Sequence, residues 1–249
     1  MQKTRIEWVR NPDGSQGYSC NPIKGICPVG CWYCYGRRIY QRFKWATEPW
    51  LDIAELNQVA ETRVTGKRIF VCSIFELFHP IVDSLTGRCV RVDEMGRKES
   101  HDKARDMIFD VIKRRPDLTF IVLTKMPERI DRPMPDNVWV GVSVTGGSLA
   151  DTRRTEFLAR IKAKIKFISF EPILFPPWLV SLPLTPDWVI AGRLTGHGKI
   201  HDPARGIIKE IVEYAQINEI PIFLKNNLKE IWGEPLIQEI PSLKVSEED

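Results

Sequence analysis

The chain has 249 residues, of which 43% are hydrophobic, so it is long enough to bury a sizeable core. Its most apolar stretch, residues 69–82, contains Glu76 and Pro80 and is too short to span a bilayer. The charged N-terminus lacks the apolar segment of a secretory signal. These features argue against membrane and secreted classes, and they predict a cytoplasmic protein with no membrane partner. In that compartment the six cysteines are expected to be ligands or core thiols rather than disulfides.

Positive charge is concentrated at the N-terminal end of the chain. The net charge is +4, yet residues 1–45 contain eight Lys or Arg and only two acidic residues. Positive potential around this segment favours an anionic ligand.

Three cysteines lie within eight residues near the start of the chain. Residues 1–16 are predicted to form a leader or a capping hairpin, and residues 17–23 a first strand. The loop that follows contains Cys27, Cys31 and Cys34, spaced by four and then three positions. Such spacing brings three sulfurs toward one point, as a metal ion or an iron–sulfur centre requires. The alternatives are an iron–sulfur centre and a structural zinc knuckle with Cys20 as the fourth ligand.

Short apolar strands alternate with amphipathic helices in the rest of the chain. Strands are predicted at 69–73, 119–123, 138–144, 166–170, 188–191 and 221–224. Helices are predicted at 36–44, 102–115 and 148–163, with a further one capped by Asp202. Strands that are apolar on both faces indicate a parallel sheet. Because no glycine-rich dinucleotide turn follows the first strand, the pattern favours an α/β fold of full or partial TIM-like barrel type with six to seven parallel strands.

The chain is predicted to form one barrel domain covering residues 1–249. Residues 83–100 are polar and rich in turn residues, and they are interpreted as an insertion or lid. Residues 229–249 are interpreted as a C-terminal tail. Cys72 is expected to be a buried strand thiol, and no role is assigned to Cys89.

Polar or charged side chains follow nearly every predicted strand. They are Ser73, Glu76, Thr124, Lys125, Ser143, Thr145, Ser169, Glu171, Arg193, Lys225, Asn226 and Asn227. In a parallel barrel these positions meet at one rim, where such folds place their chemistry. The plainer interpretation is a set of rim residues that hydrogen-bond to one another.

Basic and aromatic residues alternate after the cysteine loop. The basic residues are Arg37, Arg38, Arg42 and Lys44, and the aromatic ones are Tyr35, Tyr40 and Trp45. Such a surface can bind phosphates and stack bases. It is also typical of a helix with one solvated and one packed face.

The cysteine spacing, with an aromatic residue before the last cysteine and a barrel-like chain, resembles the radical SAM superfamily. The chain is most similar to an uncharacterised, phage-associated radical-SAM-like family over residues ~5 to ~228, a span that fits one barrel-sized unit. The shared segments are Ile6-Glu7-Trp8, Asn21-Pro22, Cys34-Tyr35, Phe70-Val71-Cys72-Ser73, Leu123-Thr124-Lys125 with Pro127-Glu128-Arg129, Val138-Trp139 with Gly141-Val142-Ser143-Val144, Glu171-Pro172, Asp187-Trp188-Val189-Ile190, and Phe223 with Lys225.

The resemblance implies a 4Fe-4S cluster held by Cys27, Cys31 and Cys34, with one iron open to S-adenosylmethionine. Reductive cleavage would then release a deoxyadenosyl radical that modifies a substrate, with a nucleobase, nucleotide or nucleic acid among the options. An electron donor of flavodoxin or ferredoxin type is implied as a partner. The residues implied to bind the cofactor are Tyr33, Ser73, Glu76 and Ser143, and those implied to be catalytic are Glu171 and Lys125.

Three departures from the pattern stand out. The first two cysteines are closer together than in the phage-associated family. Ser73-Ile74-Phe75-Glu76 replaces the superfamily's Gly-Gly-Glu, and Gly192-Arg193-Leu194-Thr195-Gly196 replaces the family's Gly-Gly-Glu-Ser-Gly. The competing functional hypothesis is a non-catalytic, zinc-stabilised nucleic-acid-binding protein.

Overall fold

Short strands and helices alternate along the chain in a computed structural model that describes residues 1–85 and 103–241. The strands are β1 (Gln2–Lys3), β2 (Tyr18–Cys20), β3 (Ile23–Lys24), β4 (Trp50–Leu51), β5 (Arg68–Val71), β6 (Thr119–Thr124), β7 (Val138–Val144), β8 (Ile165–Phe170), β9 (Trp188–Ala191) and β10 (Ile222–Leu224). The helices are α1 (Tyr35–Phe43), α2 (Ile53–Glu61), α3 (Ile81–Ser84), α4 (Ala104–Arg114), α5 (Leu149–Arg160), α6 (Arg205–Ile217) and α7 (Lys229–Trp232).

Eight strands form one sheet in the order β1-β2-β5-β6-β7-β8-β9-β10, and β3 pairs with β4 in a separate ribbon. Strand β1 is antiparallel to β2, while the seven strands from β2 to β10 run parallel. The predicted α/β class with a parallel sheet is therefore confirmed. Within the described residues β1 and β10 are the two edges of this sheet, so a closed barrel is not shown.

The two faces of the sheet bury different residues. One face packs against the helices and forms the larger core, which includes Ile108 of α4, Leu158 of α5 and Ile211 of α6. The other face carries a compact aromatic cluster that includes Trp139 and Trp188. Because side chains alternate between faces along a strand, residues at alternate positions contribute to this inner cluster, as Ile165 and Phe167 of β8 do.

The N-terminal segment covers the inner face of the sheet. Residues 11–14 form a turn, since the Gly14 N–H donates to the Asn11 carbonyl over 2.9 Å. The Trp8 ring lies 4.8 Å from Phe70 of β5 and 5.9 Å from Trp188 of β9. The Asn226 N–H beyond β10 donates to the Glu7 carboxylate over 2.6 Å. Residues 1–17 therefore connect the two sides of the sheet rather than forming a free leader.

Several predicted boundaries need correction. The predicted Asp202 cap is wrong, because its carboxylate accepts a hydrogen bond from Arg193 over 2.8 Å and α6 begins at Arg205. The strand predicted to reach residue 73 ends at Val71, because Cys72 adopts a left-handed backbone conformation with φ of 55°. The helix predicted at 148–163 is α5, which Ser148 caps, since its hydroxyl accepts from the Asp151 N–H over 3.1 Å.

Two parts of the predicted organisation fall partly outside the described residues. Of the proposed insertion at 83–100 only residues 83–85 are described, and Cys89 lies outside. Within the tail at 229–249, α7 is helical and the Leu224 N–H of β10 donates to the Ile237 carbonyl over 2.7 Å. Among residues 1–85 and 103–241, no helix is long and apolar enough to cross a membrane.

Candidate active site

A cavity of about 480 Å³ opens at the carboxyl ends of the parallel strands. Lys125, Ser143, Glu171 and Lys225 line it, and each lies just after or at the end of a strand on the inner face. Alternation explains this placement: each is two residues beyond an inner position such as Leu123. The aromatic cluster below them therefore forms the floor of the cavity.

The structure brings every residue predicted for the site to this one cavity. Its lining includes Cys27, Cys31, Tyr33, Cys34, Ser73, Glu76, Lys125, Ser143 and Glu171. Of the other strand-end residues named from the sequence, Arg193 and Lys225 also line the cavity. Five do not line it: Thr124, Thr145, Ser169, Asn226 and Asn227. The chemical roles of the lining residues stay predictions.

The three-cysteine loop closes over the first strands of the sheet. The Ile26 N–H donates to the Thr47 carbonyl over 2.8 Å, and the Cys34 N–H donates to the Cys31 carbonyl over 3.1 Å. Gly30 supplies the positive φ of 72° that the turn between the first two cysteines requires. All three cysteines of this loop line the cavity.

The thiol of Cys27 is partly buried and accepts backbone hydrogen bonds. Burial raises its pKa, and the N–H groups of Val29 and Glu76 oppose that shift by hydrogen-bonding to the sulfur. N–H donors of this kind stabilise a thiolate, the form that ligates metals.

The cysteine loop supplies a set of soft donors. In residues 1–85 and 103–241, no three His, Cys, Asp or Glu side chains are grouped closely enough to bind a metal ion as they stand. Three soft thiols on one cavity wall are suitable ligands for iron–sulfur centres.

Cys20 and Cys72 belong to the protein interior. Cys20 is buried in β2 and does not line the cavity, and burial raises the pKa of its thiol to about 12. The Cys72 N–H donates to the Cys20 carbonyl over 2.8 Å. Cys72 is buried, as expected from the sequence, although it lies one residue beyond its strand and lines the cavity. Cys20 is therefore poorly placed to complete a zinc site with the cysteine loop.

Glu76 is a buried carboxylate that joins two strand ends. It accepts hydrogen bonds from the Thr124 hydroxyl over 2.6 Å and from the Lys125 N–H over 2.8 Å. A third bond comes from the Phe78 N–H over 3.2 Å. Burial raises its pKa despite these donors. With both oxygens engaged, Glu76 positions the Lys125 segment next to the cysteine loop.

Tyr33 and Lys125 face each other across the cavity. The Lys125 ammonium lies 6.0 Å from the centre of the Tyr33 ring, a cation–π geometry. The Tyr33 side chain hydrogen-bonds with that of Cys31, and burial is the main reason that the Tyr33 pKa is raised. In the described part of the chain no carboxylate lies within ion-pair distance of the Lys125 ammonium, and its charge acts on the buried Glu76 carboxylate by helping to lower the Glu76 pKa.

The Glu171 carboxylate pairs with the Lys225 ammonium at the opposite wall. Gly192 of the neighbouring strand end makes room for this pair, because a Cβ there would lie 2.8 Å from Lys225 Cδ. Both side chains keep part of their surface exposed to the cavity side, with 25% and 16% accessible. The pair is therefore able to contact a bound molecule.

The two predicted serines make different contacts. The Ser73 hydroxyl donates to Asn21 Oδ1 over 2.9 Å, and its carbonyl accepts from the Tyr35 hydroxyl over 2.9 Å. Ser143 is buried in β7, and its carbonyl accepts from Arg154 over 3.3 Å. Ser73 therefore links the cysteine-loop side of the cavity to the first strands.

The loop after β9 is clamped against α1. The Arg38 guanidinium donates to the carbonyls of Thr195 and Gly196 over 3.0 Å and 2.9 Å. Beside it, the centre of the Trp32 ring lies 5.3 Å from the ring centre of His197 and 5.1 Å from that of His201. These contacts close one side of the cavity mouth.

Sequence reasoning missed several residues of the lining. Arg5, Trp8 and Arg38 line the cavity although none lies at the end of a parallel strand. Arg193 and Lys225 were recognised as strand-end residues, and both line the cavity. The contact of Arg38 with a loop more than 150 positions away leaves no local sequence signal.

The fold and the cavity define an α/β protein whose parallel sheet carries three thiols at its carboxyl edge. The chain belongs to the DUF5131 family, described as "Protein of unknown function", whose profile matches residues 3–239. No curated protein matches the chain, and no solved structure matches it.

Proposed function

We propose that this chain is a radical S-adenosylmethionine enzyme on a partial TIM-like barrel. The observation that carries the proposal is the meeting of three closely spaced thiols with a ring of polar strand ends in one cavity. Its volume of about 480 Å³ lies within the range of cofactor and substrate sites.

Curvature of the sheet supports the barrel-like architecture. In a flat sheet β5 and β9 would lie four strand spacings, about 19 Å, apart. A single Trp8 ring nevertheless contacts Phe70 of β5 and Trp188 of β9. The strands therefore curl around Trp8 in the sequential parallel order that barrels use.

Cys27, Cys31 and Cys34 would hold a 4Fe-4S cluster through three of its irons. When bound, that group would supply an electron to S-adenosylmethionine and so give access to hydrogen abstraction by a deoxyadenosyl radical. Three ligands rather than four leave one iron for the cofactor.

The remaining lining residues bind and shield the reacting molecules. Lys125 offers a cation to a carboxylate, and Tyr33, Ser73, Glu76 and Ser143 complete the proposed cofactor wall. The Lys225 ammonium pairs with the Glu171 carboxylate, so the pair can stabilise charge on a bound substrate. The apolar floor that includes Trp8 and Phe70 excludes water, which protects reactive species.

The competing zinc-stabilised protein is less well supported. A structural zinc site needs a closed tetrahedral ligand set. Cys20, the expected fourth ligand, does not line the cavity that holds the other three thiols.

Anaerobic reconstitution tests the proposal. Protein incubated with iron, sulfide, dithionite and S-adenosylmethionine should form 5′-deoxyadenosine, and Cys31→Ala should abolish the product. Cys20→Ala is the matched control, because it removes a thiol outside the cavity lining, and it should keep the activity. Zinc uptake without any nucleoside, or equal loss in both variants, would refute the proposal.

A further inference from the structure

A basic and aromatic surface extends from the cavity mouth along α1. We define the α1 patch as Arg38, Arg42, Phe43, Lys44 and Trp45. Arg38 lines the cavity, and Arg42 lies one helical turn further along the same face. The helix ends where Lys44 takes a left-handed conformation, which turns the chain so that Trp45 follows Phe43.

Within residues 1–85 and 103–241, the cations of the α1 patch, Arg38, Arg42 and Lys44, form no ion pair. Arg132 and Arg205, at other exposed sites, do pair with carboxylates. The Arg38 guanidinium donates only to carbonyl groups, and that of Arg42 lies 5.4 Å from the Phe43 ring centre. The patch therefore keeps its positive charge available to an external anion.

The aromatic residues of the patch form an exposed platform. Phe43 is 55% exposed and Trp45 is 51% exposed. Their ring centres are 5.4 Å apart, with an interplanar angle of 23°, so the rings are stacked. Tyr40 supports this platform from the buried side, since its ring contacts Trp45 edge-on at 5.4 Å. A fixed, half-exposed aromatic stack beside unpaired cations is suited to bind unpaired bases and their phosphates.

We propose that the α1 patch binds single-stranded nucleic acid and directs a nucleotide toward the cavity. Bases stack on Phe43 and Trp45, and phosphates bind Arg38, Arg42 and Lys44. Delivery to the cavity rests on the proposed function, whereas binding to the patch does not. The substrate class is then a nucleotide within a strand.

The charge and the exposed rings of the α1 patch favour a single strand over a second copy of the chain, a duplex or a membrane surface. A second copy of the chain would bring three unpaired cations against three more, which opposes association. A duplex keeps the faces of its bases stacked inside, so it cannot use the aromatic platform. Membrane-surface helices bury a continuous apolar face, whereas α1 places Arg38, Gln41 and Arg42 on its exposed side.

Fluorescence anisotropy with labelled single strands tests the inference. The probes are DNA and RNA of mixed sequence and about 12 nucleotides, a length within known single-strand site sizes. For three phosphate contacts, the logarithm of the binding constant should fall with the logarithm of salt concentration with a slope of about −2. Arg42→Gln/Lys44→Gln should reduce the slope to about −0.7, and Trp45→Ala should weaken binding by about tenfold.

Matched variants separate the patch from general surface effects. Lys113→Gln/Arg114→Gln removes the same charge from the exposed end of α4, and Phe175→Ala removes another exposed ring. Both should leave affinity and salt slope unchanged. Equal weakening by the two double variants, unchanged binding by Trp45→Ala, or tighter binding of a duplex or of phosphatidylserine vesicles would overturn the inference.

The two proposals can fail separately. Arg42 and Lys44 lie outside the cavity lining, so their double variant should form 5′-deoxyadenosine like the wild type when no nucleic acid is present. If the nucleoside forms but the variants of the α1 patch bind single strands as the wild type does, only this inference fails. If the variants of the α1 patch weaken single-strand binding as expected and no nucleoside forms, only the proposed function fails.

Discussion

The carboxylate of Glu55 anchors the approach to the cysteine loop. It accepts a hydrogen bond from the Asn21 N–H over 2.8 Å and pairs with the Lys24 ammonium. Burial alone would raise its pKa, but the hydrogen bonds from Lys24 and Asn21 outweigh burial and lower it below the ordinary 4.5. Glu55 therefore stabilises the fold when it is ionised.

Replacing Glu55 should weaken the fold in a pH-dependent way. Because the folded-state pKa is lowered, its contribution is present above pH 4.5 and is lost as the pH falls through the lowered value. Glu55→Gln should cost about 1–3 kcal/mol at pH 7, and its unfolding free energy should fall less than that of the wild type on acidification. Urea unfolding at pH 7 and below pH 4.5 measures these free energies. The exposed Glu156→Gln is the control. If the unfolding free energies of Glu55→Gln and wild type depended equally on pH, the stabilising role of ionised Glu55 would be contradicted.

Gly141 shows how tightly the floor of the cavity is packed. A Cβ at this position would overlap the Phe167 ring of the neighbouring strand. Gly141→Ala should therefore destabilise the protein by about 1–3 kcal/mol. Gly206→Ala is the matched control, since a Cβ there meets nothing within 4 Å, and in a helix it should be neutral or stabilising by up to about 1 kcal/mol. Thermal or urea unfolding in which Gly206→Ala loses more stability than Gly141→Ala would contradict the tight packing of Gly141 against the Phe167 ring.

The residues of the candidate site differ in how far sequence could predict them. The thiols follow from local spacing, and Ser143 and Glu171 follow from strand alternation, so both groups were found. Arg38 and Trp8 reach the cavity through tertiary packing, which no local pattern contains. Likewise, nothing in the sequence shows that the Glu76 carboxylate accepts hydrogen bonds from Thr124 and Lys125.

At the scale of elements, continuous apolar runs were the most reliable signal. The strands at 138–144 and 188–191 agree with β7 and β9 at both ends. Helix α2 was not predicted, although Asp52 caps it by accepting from the Glu55 N–H over 3.0 Å. Its nine residues bury only Leu56 and Val59, which is a weak periodic signal.

The clamp between α1 and the loop after β9 predicts a local effect. Arg38→Ala removes two hydrogen bonds to Thr195 and Gly196, so amide exchange across residues 195–201 should become faster. Arg42→Ala, one turn further along the helix, should leave that exchange unchanged. Hydrogen exchange followed by mass spectrometry measures both. Identical protection in Arg38→Ala and wild type would show that the clamp does not order the loop.

At the scale of the whole molecule, Trp8 holds the curved sheet together. Its ring is 2% exposed and contacts Phe70, Phe167 and Trp188, which lie on three different strands. The sequence predicted strands that are apolar on both faces and a barrel-like arrangement of them. It could not predict how strongly the sheet curves, because that depends on how large side chains from distant strands fit around one ring.

Removal of the Trp8 ring should therefore be costly. Trp8→Ala should lower the unfolding free energy by about 3–5 kcal/mol, the cost of deleting a large buried side chain. Trp50→Ala is the control, because its side chain is 49% exposed and its loss should cost about 1 kcal/mol or less. Denaturant unfolding in which both variants lose equally little stability would contradict the central packing of Trp8.

Metal analysis of anaerobically purified and reconstituted protein tests the central claim most directly. A three-thiolate cluster predicts about four iron and four sulfide per chain, together with an electron paramagnetic resonance signal of the reduced protein that changes when S-adenosylmethionine is added. Cys31→Ala should lose this iron, and Cys20→Ala should keep it. Tightly bound zinc in place of iron, released by Cys20→Ala as readily as by Cys31→Ala, would contradict the account.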